Sequence, residues 1–81
     1  MRLDKFLKVS RIIKRITVAN TVSEMGRVLI NGFPAKPAKQ LKIGDIIEIE
    51  YSNRTEKYEV LIIPTGNVSV QEAETLYKII S

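Results

Sequence analysis

The sequence predicts an α+β domain: two N-terminal helices, then short, mostly antiparallel strands, then a short C-terminal helix. Three observations carry this expectation. Apolar residues recur at helical spacing up to Met25. The period then shortens to strand alternation punctuated by Asn31-Gly32 and Gly44-Asp45. A Ser-x-x-Glu pair, Ser69 and Glu72, marks a late helix start. With 81 residues and 44% apolar composition, residues 1–81 make one domain, because roughly 100 to 200 residues per domain is the usual size.

The first helix is expected over residues 3–13, where Leu3, Phe6, Leu7 and Ile13 share one arc at about 100° per residue. Lys5 and Lys8 fall opposite, with Arg11 on the flank. Cations three apart on a helix repel by a few tenths of a kcal/mol per pair, so this face suits an anionic partner, though a merely solvated basic face explains it as readily on its own. The second helix runs from about Arg15 to Met25, with Ile16, Ala19, Val22 and Met25 repeating at threes. Gly26 is placed to end it in the left-handed conformation, since the β-prone run Arg27–Ile30 breaks the helical period.

Asn31-Gly32 is the strongest short-range turn signal, because both residues tolerate the positive φ of a two-residue hairpin. The stretch from Pro34 to Lys42 mixes two prolines with Lys36, Lys39 and Lys42 and suits an extended, exposed, basic loop. Gly44-Asp45 makes a second turn. Strands follow over residues 46–51 and 55–63, joined through Ser52-Asn53-Arg54, with Glu48 and Glu50 alternating against Ile47, Ile49 and Tyr51. The capping box then opens a helix whose apolar stripe is Ala73, Leu76, Tyr77 and Ile80.

Composition narrows the chemistry. There is no cysteine and no histidine, so the usual nucleophile, the commonest acid/base catalyst and the preferred transition-metal ligands are missing. Asp45, Glu48 and Glu50 are the only clustered carboxylates worth testing as a metal or acid/base pair. Strand alternation leaves Glu48 and Glu50 on a solvated face with no apolar pocket to raise a pKa, so they read as an edge-protecting acidic face. No glycine-rich phosphate loop is present. The expectation is a protein that is not an enzyme, with no cofactor and no metal. The longest apolar run, Val60–Ile63, is far short of the ~20 residues that cross a bilayer, and a cytoplasmic protein with no membrane partner is expected.

The net charge of +4 conceals an asymmetry. Residues 1–42 hold ten cations against Asp4 and Glu24, or +8, whereas residues 43–81 hold three cations against seven carboxylates, or −4. Cations this dense usually meet a polyanion. The cationic helix, Arg27 beside its turn, and the Lys36, Lys39 and Lys42 loop can together contact several phosphates, in a salt-sensitive way. Low aromatic content, 6%, argues against a base-stacking platform. Asp4 reads as a first-turn charge that complements the helix dipole.

Several spaced motifs carry a resemblance over residues 2 to 50: Arg2-Leu3-Asp4 with Leu7, Ala19 seven residues before Gly26, Val28-x-Ile30-Asn31-Gly32, Pro37, and Gly44-Asp45-x-Ile47. Together they resemble the S-four RNA-binding domain family, also called the alpha-L motif. The opening Met1-Arg2-Leu3-Asp4-Lys5-Phe6-Leu7-Lys8 and the single-domain length are most similar to its RqcP family, of bacterial ribosome-associated quality control. The resemblance implies two helices packed on a small twisted sheet, with RNA held along the helical pair and adjacent loop. It implies an obstructed large ribosomal subunit as the site, ribosomal RNA and tRNA as contacts, and alanine tailing supported with an RqcH-type factor. It transfers RNA contact to Arg2, Lys5, Lys8, Arg11 and Lys14, with Arg2 foremost and Asp4 supporting. Arg15, Arg27, Lys36 and Lys39 join them on charge, and Asn31 and Gly32 support as the turn. One departure stands out: the family usually has Arg where this chain has Ile16, and neighbouring Arg15 is the candidate to replace it. The chain is expected to act as a monomer. Other readings are a module for ribosome assembly or free structured RNA, a relative of RNA-modifying enzymes without their catalytic domain, or a protein-interaction module using the acidic sheet and the Leu76-Tyr77-Ile80 stripe.

Overall fold

The structure, a computed structural model, describes residues 1–80. Two helices, α1 (Leu3–Val9) and α2 (Ile16–Glu24), pack together and cover one face of a five-stranded sheet made of β1 (Val28–Ile30), β2 (Phe33–Pro34), β3 (Ile46–Glu50), β4 (Thr55–Val60) and β5 (Tyr77–Ile79). The strand order is β2-β1-β3-β4-β5, and every neighbouring pair is antiparallel. Between β4 and β5 lies α3 (Val70–Ala73), continued by a 3₁₀ turn over Glu74–Leu76. Among the described residues no helix is long and apolar enough to cross a membrane.

Helix α1 buries Leu3, Phe6 and Leu7 completely, as its spacing predicts. It ends at Val9 rather than near residue 13 because buried Ser10 interrupts it. The Ser10 hydroxyl donates to the Leu7 carbonyl (3.2 Å) and accepts from the Ile12 amide (3.4 Å), while Arg11 turns to φ 64°. A hydroxyl that competes for helical backbone groups is a local alternative to helix continuation. Ile13 therefore reaches the core from a turn, half-buried, with its amide on the Leu7 carbonyl.

Helix α2 falls within a residue of its predicted ends, but its buried face differs. Ala19 and Ser23 are buried, Val22 is half-buried, and Ile16 and Met25 are exposed at 41% and 59%. The stripe predicted from Ile16, Ala19, Val22 and Met25 is thus rotated toward the small residues. Ser23 is tolerated there because its hydroxyl donates to the Ala19 carbonyl at 2.8 Å. Gly26 (φ 76°) ends the helix as expected: the Arg27 amide returns to the Val22 carbonyl and the Gly26 amide to that of Ser23, the paired bonds of a Schellman cap.

Asn31 (φ 52°) and Gly32 (φ 87°) close the β1–β2 hairpin, which pairs Ile30 with Phe33. Register then fixes the faces. Ile30, Ile47 and Tyr58 form one inward row and Val28 and Ile49 another, while Leu29, Glu48 and Lys57 stand together on the outer face. That outer face is mixed rather than purely acidic, because Glu59 stands opposite Lys78 and Glu48 opposite Lys57. Burial pushes the Tyr58 hydroxyl above the usual tyrosine range, with nearby Tyr51 adding to it, so the hydroxyl stays neutral.

Strand β4 stops at Val60, three residues short of the predicted Ile63, because the Leu61 and Ile62 amides turn to the Leu76 carbonyl. The serine half of the capping box forms, the Ser69 hydroxyl accepting from the Glu72 amide (3.2 Å), whereas the Glu72 carboxylate accepts from the Ser69 hydroxyl (2.9 Å) and not from the backbone amide that a full box would satisfy. Ala73 and Leu76 are buried as predicted. The rest of the predicted helical stripe is overturned, for Tyr77 belongs to β5 and the Ile80 amide bonds the Lys57 carbonyl. Strand β4 would otherwise expose a row of unpaired backbone groups, and β5 satisfies them. Tyr77 meets Tyr58 edge-on at 5.4 Å.

Candidate nucleic-acid interface

The segment after β2 is not the free loop its prolines and lysines suggest. Ala35, Pro37 and Leu41 are buried, and the N-terminus runs against it as an added strand-like edge. The Leu3 amide bonds the Lys39 carbonyl (2.8 Å), the Asp4 amide that of Pro37 (3.2 Å), and the Leu41 amide that of Met1 (3.0 Å), with Arg2 bridged to Gln40. Lys36 is exposed between buried Ala35 and Pro37, and Lys39 is exposed at the end of a turn closed by its amide on the Lys36 carbonyl (3.0 Å). The expectation of an exposed basic loop therefore holds for its side chains and fails for its backbone.

Arg2 is the N-cap of α1, and its guanidinium lies 3.3 Å from the Asp4 carboxylate. Asp4 is 4% exposed, yet well partnered. One oxygen accepts from the Lys5 amide at 2.8 Å, and the other accepts from both Arg2 and the Asn20 amide group at 3.3 Å. A buried carboxylate needs such donors to offset lost water. The same bonds hold Arg2 in place while about half of its side chain stays exposed. An arginine has five donors, and the Arg2–Asp4 contact is a single bond, so donors remain for a phosphate.

Helix geometry places Ile16, Asn20 and Glu24 along one flank of α2. Asn20 meets Asp4, and Glu24 meets Lys36 at 3.8 Å. Arg2, Lys36 and Lys39 are thereby gathered around that flank and the start of α1, with Lys5 and Lys8 exposed farther along α1. Lys14 and exposed Arg15 lie in the connection, where Arg15 is the N-cap of α2 with no side-chain cap bond. Arg15 thus sits one residue before the helical flank that Ile16 occupies.

Two predicted contacts stand apart. Arg11 has left the helix and, with Lys8, borders a hollow shared with Asn67, Val68 and Val70. Arg27 lies across α2, in a groove lined by Val18, Val22 and Tyr51. The predicted supports hold their places: Asn31 donates to the Asp45 carboxylate (3.1 Å) and accepts from the Ile46 amide (3.0 Å), while Asp45 also accepts from the Lys42 amide (2.9 Å). Asp45 is occupied in fixing this turn. Sequence reasoning missed Asn20, whose only signal is its helical phase beside Ala19.

The S4 domain family matches residues 1–47. The chain is 46% identical over 81 residues to the RQC P-site tRNA stabilizing factor of Streptococcus pneumoniae, spanning 100% of this chain and 91% of that protein. The protein of the same name from Listeria monocytogenes is 46% identical over 82 residues, spanning 99% and 86%. Among solved structures, trimeric heat shock protein 15 of Vibrio cholerae superposes with a TM-score of 0.88 at 31% identity, covering 100% of this chain and 82% of that one.

Proposed function

Because the chain belongs to the S4 domain family, and within it to the family of RQC P-site tRNA stabilizing factors, we propose that it binds ribosomal RNA and tRNA on obstructed large ribosomal subunits. There it supports alanine tailing with an RqcH-type factor, as a cytoplasmic monomer that binds and positions without catalysing. The observation that favours this reading is the Arg2 guanidinium held by Asp4 beside Lys36 and Lys39 on the helix-bearing side. Phosphates are recognised by cations already fixed in position, at a low entropic cost of ordering. The mixed outer face of the sheet leaves the helical side as the more cationic one and so orients the protein on RNA.

The test is co-sedimentation with large subunits, with and without peptidyl-tRNA, over a salt series. Salt-sensitive binding that tightens when peptidyl-tRNA is present is the expected result; equal binding to empty subunits would reduce the reading to general RNA binding. Arg2→Ala is expected to lower the salt slope by about one, the share of one phosphate contact. Ile16→Arg is expected to raise the slope by about one, because residue 16 is exposed on the flank that carries Asn20. An unchanged slope for the Ile16 variant would remove that flank from the interface.

A further inference from the structure

Phe33 is the most exposed of the large apolar side chains among the described residues, at 75%. It stands opposite Ile30 in the β1–β2 hairpin and so points to the helix-bearing side of the sheet, where β2 is the outermost strand. A shallow depression of about 470 Å³ lies beside it, bordered by Asn31, Pro34, Ala35, Lys36 and Lys39. Its bordering charges are all positive, although Lys36 also faces Glu24. The platform is rigid. The positive-φ turn and the Asn31 bonds to Asp45 and Ile46 fix the hairpin, and the segment that carries Lys39 is bonded to the N-terminus at Leu3.

We propose that Phe33 is a stacking platform for an unpaired nucleobase, with Lys36 and Lys39 holding the flanking phosphates. This rests on the RNA-binding reading above and extends the cationic surface around Arg2. An aromatic face accepts any base, and cations beside it take the backbone charge, which is the chemistry of single-stranded RNA recognition. The low overall aromatic content does not weigh against it, because one ring serves one base.

The test compares wild type with Phe33→Ala, Phe33→Leu and Phe33→Tyr for binding to large ribosomal subunits and to large-subunit RNA stripped of protein, each over a salt series. Phe33 is exposed, so these variants keep the fold. Stacking predicts that Tyr retains wild-type affinity while Ala and Leu each lose about tenfold on both targets, with salt slopes unchanged because no ionic contact is removed. Leu matching wild type would make the contact aliphatic and overturn the proposal. A loss confined to intact subunits would put a ribosomal protein, not a base, on Phe33 and would also overturn it. Salt-sensitive wild-type binding with no effect of Ala overturns the stacking site and leaves the RNA reading standing, whereas wild-type binding that does not respond to salt removes both.

Discussion

Phe6→Ala is expected to cost about 3 to 5 kcal/mol of stability. Phe6 is fully buried between the two helices and the inward rows of the sheet, with Leu3 and Leu7 beside it and Ile30 and Ile47 in the same core. A domain of this size has a total of only about 4 to 12 kcal/mol, taking about 0.05 to 0.15 kcal/mol per residue. The cavity has little prospect of refilling, because α1 is held at one end by the Lys39 and Pro37 carbonyls and at the other by Ser10. The urea midpoint should fall by about a quarter or more of its wild-type value. A loss under about 1 kcal/mol would mean that the helices collapse onto the gap, and that α1 is less firmly anchored than its bonds imply. Phe33→Ala is the internal contrast, since removing an exposed ring should change stability by no more than about 0.5 kcal/mol.

The second large effect is on binding rather than folding. Asp4→Ala is expected to weaken binding to ribosomal subunits as much as Arg2→Ala does, although Asp4 is itself anionic and its removal makes the surface more positive. Simple charge counting predicts the opposite sign. The buried carboxylate is what holds the Arg2 guanidinium and ties Asn20 on α2 to α1, so losing it frees Arg2 to sample many rotamers. The double variant should bind no worse than either single one, an interaction energy comparable to each single loss, as expected for contacting groups. Asp4→Ala also leaves the Lys5 amide without its side-chain partner, adding about 1 to 3 kcal/mol of destabilisation, so affinities must be measured where both variants remain folded. Tighter binding by the Asp4 variant would sink the positioning role and restore the charge-counting account.

Much of this architecture was legible because its signals are local. Leu3, Phe6 and Leu7 announce the buried side of α1, Asn31-Gly32 the hairpin, Gly26 the end of α2, and Ser69 with Glu72 the start of α3; each depends on a few consecutive residues. What was not legible depends on distant partners. The apolar spacing of Ala73, Leu76, Tyr77 and Ile80 fits a helix as well as it fits one turn followed by a strand, and the outcome is decided by the open edge of β4. Ser10 ends α1 through a hydroxyl that helical periodicity treats as neutral. At the interface the cations were evident from charge alone. Their grouping was not, because Asn20 and Glu24 reach Asp4 and Lys36 across the tertiary fold. Arg27 was grouped with the others by charge and lies on the far side of α2.

The bond between the Met1 amino group and Gln40 spans 39 positions of sequence, and Leu3, Asp4 and Leu41 close the same long loop. In the order of synthesis, residues 1–4 are therefore made well before their partners at residues 37–41. Helix α1 can form early, but the Arg2 surface has no fixed shape until residues 37–41 have been made and β3 has joined β1. Closing a loop of this length is an entropic cost met before the contacts reward it. The arrangement of the cations around Arg2 is thus a late event in the folding of the chain, and a nascent copy still short of β3 carries the basic residues without the contacts that group them.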